Sequence, residues 1–254
     1  MKDKLNEIMQ RIEQNRANAQ PHIQPVYECD KCKDTEFILH KENGREYATR
    51  CSCWETKAAA RIMRNSGISE EDSKKGFREF ETFGESALVD AKDKATRYFM
   101  EFFQNESSRT NSIMLCGASG RGKTTLGMAI ANNLIHKCVG VRYMAYRDEI
   151  TRLKQEITEE HTYNEHMRRL QGARVLFIDD MLKGKVTESD VNILYEIINH
   201  RYLSRLPMII STEKTPQELI EFDEAIASRL LEMSKGYVVV FDKSVPNYRL
   251  RNFF

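Results

Sequence analysis

The sequence predicts an α/β fold, a five-stranded parallel sheet covered by helices on both faces, preceded by a small N-terminal helix and a cysteine-bearing module. Three observations carry this. From Asn111 onward short apolar runs alternate with helical periods, the pattern of strands joined by crossover helices. A glycine-rich run, Gly117 to Thr124, separates the first such run from the first such helix. Four cysteines fall within 25 residues, Cys29 to Cys53. The 254 residues fit one to two domains at about 100–200 residues each. A content of 41% hydrophobic and 30% charged residues excludes disorder throughout and a collagen-like repeat. No apolar run approaches the roughly 20 residues that span a bilayer. The start, MKDKLNEIMQ, carries charges where a signal peptide needs an apolar core, so a cytoplasmic chain is expected. Net charge is +1, from 39 basic and 38 acidic residues. Any nucleic-acid contact must therefore come from a local arrangement of Lys and Arg.

Taken in order, residues 1–20 place Leu5, Ile8, Met9 and Ile12 on one stripe of an amphipathic helix that ends before Pro21. A stripe that narrow leans on something, either its own module or a partner. Residues 21–56 form the cysteine module, with strand-like runs at Glu36–Leu39 and Tyr47–Thr49. Residues 57–85 read as a connector: a short helix at Thr56–Asn65, then Gly67, Gly76 and Gly84 among mixed charges. The main domain is expected over 86–254. Its first helix, Ser86–Gln104, gathers Leu88, Ala91, Ala95, Tyr98, Phe99 and Phe102 on one side. Five strands are predicted at Ser112–Cys116, Val141–Tyr146, Ala173–Ile178, Pro207–Thr212 and Tyr237–Phe241. Helices are predicted near Lys123–Lys137, Arg147–Glu159, Tyr163–Gln171, Glu188–Leu203, Pro216–Phe222 and Glu224–Met233.

Gly117-Ala118-Ser119-Gly120-Arg121-Gly122-Lys123-Thr124 fits the phosphate-loop pattern G-x-x-x-x-G-K-[ST] without a gap. Glycines let the backbone turn its N–H groups inward at phosphate oxygens, at the positive end of a helix. Lys123 can reach the β- and γ-phosphates of ATP, Thr124 can hold Mg²⁺, and Thr125 follows in the same helical turn. Val175-Leu176-Phe177-Ile178-Asp179-Asp180 is an apolar strand ending in two carboxylates. Neighbouring parallel strands are expected to bring that end beside the phosphate loop. Asp179 then supports Mg²⁺, and Asp180 orients or deprotonates the attacking water.

These two elements, with Ala227-Ser228-Arg229-Leu230 and a terminal Asn247-Tyr248-Arg249, resemble the AAA+ ATPases of the bacterial helicase-loader family (DnaC and DnaI types). The IstB-type transposition helper ATPases share much of that core. The resemblance covers roughly residues 76–254, and the cysteine module extends it towards DnaI and phage-encoded loaders. It implies that Arg229 is an arginine finger reaching the γ-phosphate of a neighbouring subunit. Arg249 would be a second nucleotide-sensing arginine, acting within its own subunit. The strand Met208–Thr212 should end in a polar sensor, commonly Asn in this family; here Thr212 is followed by Glu213. A carboxylate near a γ-phosphate is electrostatically unhelpful, so either Thr212 does that work or turnover is slow. Most AAA+ enzymes also carry Glu where Asp180 stands, and the shorter side chain holds water less closely.

Cys29-x-x-Cys32 and Cys51-x-Cys53 suit tetrahedral Zn²⁺ as a closed structural site. Free thiols are the alternative, and His22 and His40 are possible substitute ligands. Cys116 and Cys138 read as buried core thiols. The resemblance implies an ATP-dependent loader of a replicative hexameric helicase onto single-stranded DNA, gripping the helicase through its N-terminal region and self-associating through the ATPase domain. Candidate DNA-contacting residues are Arg147, Arg152, Lys154, Arg168 and Arg169. Two other readings stand beside it: a transposition helper, and a nucleotide-gated adaptor that does not hydrolyse.

Overall fold

The computed structural model describes residues 27–42, 44–241 and 245–250. The amphipathic helix expected over 1–20, and His22, lie outside the described residues. The chain separates into two compact units, Met1–Trp54 and Glu55–Phe254.

In the first unit, strands β1 (Phe37–Glu42) and β2 (Arg45–Arg50) pair antiparallel, with Leu39 opposite Ala48 and His40 opposite Tyr47. The hairpin buries little of itself, and Leu39 is 82% exposed. A helix, α1 (Cys53–Ser66), opens at the last of the clustered cysteines and runs on into the second unit.

The second unit is built on a five-stranded sheet of β3 (Ile113–Gly117), β4 (Val141–Ala145), β5 (Val175–Met181), β6 (Met208–Thr212) and β7 (Val238–Phe241), in the order β4-β5-β6-β3-β7. Every pairing is parallel. Alternate residues enter separate cores, as a sheet covered on both sides requires. Ile113, Leu115, Phe177 and Ile209 meet Leu88, Tyr98, Leu126 and Ile130, from helices α2 (Ser86–Asn105) and α3 (Lys123–His136). Met114, Cys116, Leu176, Ile178 and Ile210 face the other way. They meet α4 (Tyr146–Glu156), α5 (Glu160–Gln171), α6 (Glu188–Leu203) and, past the short α7 (Pro216–Phe222), α8 (Glu224–Met233). Helix starts follow local chemistry: Thr187 and Asp190 form a capping box on α6, Thr215 and Glu218 another on α7, and Asp223 caps α8. Among the described residues no helix is long and apolar enough to cross a membrane.

Two expectations are corrected here. The segment 57–85 is more than a connector: Ala59 and Phe80 are buried in the core, and Asn132 of α3 donates to the carbonyls of Asp72 and Lys75, each at 2.7 Å. Mixed charges hid this, because only isolated apolar residues face inward. Cys138 is partly exposed. It sits in left-handed backbone (φ +58°) just past α3, in the turn that closes the helix. Cys116 is buried as expected, and burial pushes its thiol up to about 12.

Candidate nucleotide site and cysteine cluster

The carboxyl ends of β3, β5 and β6 meet in a crevice, with the phosphate loop closing the end of β3. Left-handed glycines shape the loop. At Gly117 (φ +134°) a Cβ would overlap the Phe241 carbonyl, and at Gly120 (φ +77°) it would overlap the Asn247 amide. The Asn247–Arg249 segment is laid against the loop by a bond from the Tyr248 N–H to the Gly120 carbonyl, 2.9 Å. Lys123, nearly buried, donates to the Ala118 carbonyl at 2.9 Å. Burial pulls its ammonium below the ordinary value, and Asp180 and Glu213 oppose that. Arg121 turns aside to the Phe241 carbonyl at 3.0 Å.

The expected adjacency of β3 and β5 is corrected: β6 lies between them. The site still closes, because Thr124, in the first turn of α3, donates to Asp179 Oδ1 at 2.9 Å. The intervening strand also contributes a residue the sequence reading missed. Ser211 donates to Asp179 Oδ1 at 2.5 Å and accepts from the Asp180 N–H at 2.8 Å. Tyr143 of β4, likewise missed, donates to Asp179 Oδ2 at 3.1 Å. Burial lifts the Asp179 carboxyl above its ordinary value against the pull of Ser211, Thr124 and Tyr143. The Asp179 carboxylate beside the Thr124 hydroxyl is a suitable oxygen donor pair for Mg²⁺. A polar residue near a strand end was the available signal for Ser211; Tyr143, in the middle of β4, gave none, because sequence cannot say which strands are adjacent.

A cavity of about 260 Å³ opens over the loop, lined by Ser119 through Thr125, Asp180, Arg249 and the aromatic residues Phe80, Phe83 and Tyr248. Phe83 and Tyr248 stack with centroids 4.8 Å apart, and Phe80 lies against Gly122. These flat apolar groups beside a phosphate-binding loop suit a nucleobase. Of these, only Tyr248 lay in a motif the sequence singled out; nothing in the spacing of Phe80 and Phe83 marked them.

Of the remaining candidates, Arg249 lines the cavity and Arg229 does not. Arg229 donates to Asn199 Oδ1 at 3.0 Å, the Ala225 carbonyl at 2.7 Å and the Tyr195 hydroxyl at 3.2 Å, with its guanidinium over the Tyr195 and Tyr202 rings. Thr212, expected at the nucleotide, is not among the residues that line the cavity. It is buried, and its hydroxyl donates to the Met181 carbonyl at 2.9 Å, which spends the group inside the sheet. Glu213 instead pairs with Lys183 at 3.3 Å, and Lys183 also holds Asp180 at 2.7 Å. The five basic DNA candidates divide. Arg147 and Lys154 line a groove with Lys183 and Lys185, Arg168 and Arg169 line a different depression with Arg142 and Arg174, and Arg152 lies exposed on α4.

In the first unit the four clustered cysteines bring their sulfurs within 4.8 Å of one another. Cys29 and Cys51 are 3.7 Å apart, Cys32 and Cys53 3.5 Å. Disulfides need about 2.05 Å, whereas a tetrahedron of 2.3 Å Zn–S bonds has edges of about 3.8 Å. The donor set fits zinc. Without a metal the four sulfurs share protons: the Cys32 N–H holds the Cys29 thiol down at about 6, while burial and its sulfur neighbours push Cys53 up to about 12. His40 does not join this cluster; it stacks on Tyr47 and bonds Thr49 at 2.7 Å.

Known proteins agree with this geometry. Phage-like element PBSX protein XkdC of Bacillus subtilis (strain 168) is 36% identical over 221 residues, covering 84% of this chain and 82% of that protein. The solved structure of DnaI superposes with a TM-score of 0.58 at 21% identity, over 69% of this chain and 95% of that one. The DnaC helicase loader superposes with a TM-score of 0.54 at 18% identity, over 68% and 100%. The fold is thus that of the AAA+ ATPases. Residues 51–252 match the family described as IstB-like ATP binding protein, and with a phosphate loop, a buried carboxylate and an aromatic-walled cavity in place, the chain belongs to that family.

Proposed function

We propose that the chain is an ATP-hydrolysing loader that places a replicative ring helicase on single-stranded DNA. The observation that carries this reading is the Thr124–Asp179 bond, which joins the phosphate loop to the carboxylate strand as one Mg²⁺-holding pair, with Asp180 beside it. Bound Mg²⁺ would supply charge neutralisation at the β- and γ-phosphate oxygens of ATP. Lys123 and the N–H groups opening α3 bind the phosphates, and Phe83 with Tyr248 shelters the base. Asp180 orients the attacking water and takes its proton. Its short side chain and its pairing with Lys183 support slow turnover, which suits a switch. Arg229, outside its own cavity, suits delivery to the cavity of an adjoining copy. Zn²⁺ would be held by Cys29, Cys32, Cys51 and Cys53 and would fold the module, whose exposed Phe37 and Leu39 offer a helicase-docking face. The groove bearing Arg147 and Lys154 offers phosphate contacts for the strand. The N-terminal cysteine module supports the loader reading over a transposition helper. One observation favours the non-hydrolysing adaptor instead: Lys183 occupies the Asp180 carboxylate.

ATP turnover and co-purification test the proposal on the full chain. Lys123→Ala should abolish nucleotide binding, while Asp180→Ala and Arg229→Ala should bind ATP without turning it over. Mixing the last two should restore part of the activity, since each supplies what the other lacks. Turnover unchanged in Arg229→Ala discards the trans finger. Wild-type turnover no higher than that of Asp180→Ala selects the adaptor. Failure to capture the hexameric helicase of the native cell discards loading.

A further inference from the structure

The end of β5 is contorted in a way its sequence does not announce. The β5–β6 register shifts between Ile178 and Met181, and Asp180 and Leu182 take left-handed backbone at φ +54° and +60°. That conformation is unusual for a bulky residue such as leucine and marks a place where surrounding structure imposes strain. The Asp180 N–H is held by Ser211 at 2.8 Å, and the Lys183 N–H returns to the Asp180 carbonyl at 3.1 Å. The turn folds Lys183 back over the strand end. There its ammonium reaches Asp180 Oδ2 at 2.7 Å and Glu213 Oε1 at 3.3 Å.

Two strands thus converge on one cation. Glu213 directly follows β6 and Asp180 is the penultimate residue of β5, so without Lys183 two unpaired carboxylates would act on the phosphate loop, where both already bear on Lys123. With it, Glu213 becomes a tether, and the ammonium, which lines the groove beside Arg147 and Lys154, rests against Asp180, a residue that does line the cavity, near enough for its charge to act on Lys123. Lysine on a flexible stem is a compact point charge with three rotatable donors, so it can exchange one oxygen partner for another without moving the backbone. We propose that Lys183, tethered by Glu213, is a γ-phosphate-binding residue that leaves Asp180 when a triphosphate is present and so frees that carboxylate for water. The inference rests on the nucleotide-binding reading of the cavity and adds to it a residue and an order of events. Nucleotide-free protein has its acid masked, a diphosphate leaves it masked, and a triphosphate unmasks it.

Calorimetry on the full chain with Mg²⁺ tests this, using ADP and the non-hydrolysable analogue adenosine 5′-(β,γ-imido)triphosphate as probes. A charged hydrogen bond to the third phosphate predicts that Lys183→Met loses about 10- to 100-fold in affinity for the triphosphate, with ADP affinity unchanged. Lys183→Arg should recover most of the loss. Glu213→Gln should show a smaller loss that disappears in the Lys183→Met background, and both single variants should melt with the wild type. Equal losses for both nucleotides, or none, overturn the proposal. So does faster ATP turnover in Lys183→Met, which would make the lysine a mask and nothing more. If Lys183→Met fails to fold, Glu213→Gln decides between the same outcomes. Wild-type protein that takes up neither nucleotide defeats the nucleotide reading itself, whereas uptake of both with no difference in Lys183→Met defeats only the role given to the lysine.

Discussion

Arg201 offers a test of what holds the sheet together, independent of the site. It is fully buried in the unit that carries the nucleotide cavity. Its Nη1 donates to the carbonyls of Leu170 at 3.0 Å, Gln171 at 2.9 Å and Ala173 at 2.8 Å, and its Nη2 to that of Pro207 at 2.7 Å. One side chain therefore satisfies the end of α5 and the entrances to β5 and β6, the opposite ends of those strands from the phosphate loop. Burial pulls the guanidinium down to about 9, so it is still charged at neutral pH. Arg201→Met keeps most of the volume and removes all four bonds. The Pro207 carbonyl keeps the Leu176 N–H at 3.2 Å; each buried carbonyl left without a donor costs about 1–3 kcal/mol, offset by relief of a desolvated charge. The net loss should be about 3–5 kcal/mol. At roughly 2–4 °C per kcal/mol for a domain of this size, the melting point should fall by about 10 °C. Urea unfolding followed by far-ultraviolet circular dichroism measures it, and ADP affinity of the folded variant should match the wild type. A loss below about 1 kcal/mol would refute the reasoning, since the charge would then cost as much as its bonds return.

Chelation offers a second test. Trp54 is the one tryptophan and lies under the Arg50 guanidinium at 4.0 Å, beside the cysteine cluster. Removing metal, or Cys51→Ser, should shift tryptophan emission while leaving the circular dichroism of the sheet domain nearly unchanged; metal-free protein with native emission would end the zinc assignment. Asp190 gives a pH test. Burial raises its carboxyl, but Lys154 at 2.8 Å and the Thr187 N–H outweigh that and hold it below the ordinary value. A depressed folded value contributes stability above the unfolded value near 3.8, and this is lost as pH falls through the folded value. Asp190→Asn should therefore lower the melting point at pH 7 and flatten its fall on acidification below about pH 4; an acid limb as steep as the wild type's would refute the pairing.

Much of this molecule was legible in the chain because its signals are local. Alternating apolar runs gave all five parallel strands and the helices that cover them, since a strand buried on both faces must be apolar along its length. The loop Gly117–Thr124 announced itself through glycines in left-handed turns, and the cysteines through a paired spacing that suits a shared metal. Other features depend on which segments meet. Ser211 and Tyr143 became partners of Asp179 because β6 enters between β3 and β5 and β4 lies on the far side. For the same reason the Thr212 hydroxyl meets the Met181 carbonyl of the neighbouring strand. The chain alone placed a troublesome Glu213 at a phosphate-facing position. Tertiary structure supplied the remedy by folding Lys183 back across a strained turn to meet it. Periodicity and backbone conformation act over a few residues and can be read from a string. Charge pairing acts through space, so the balance of this crevice was decided only when the strands were set in order.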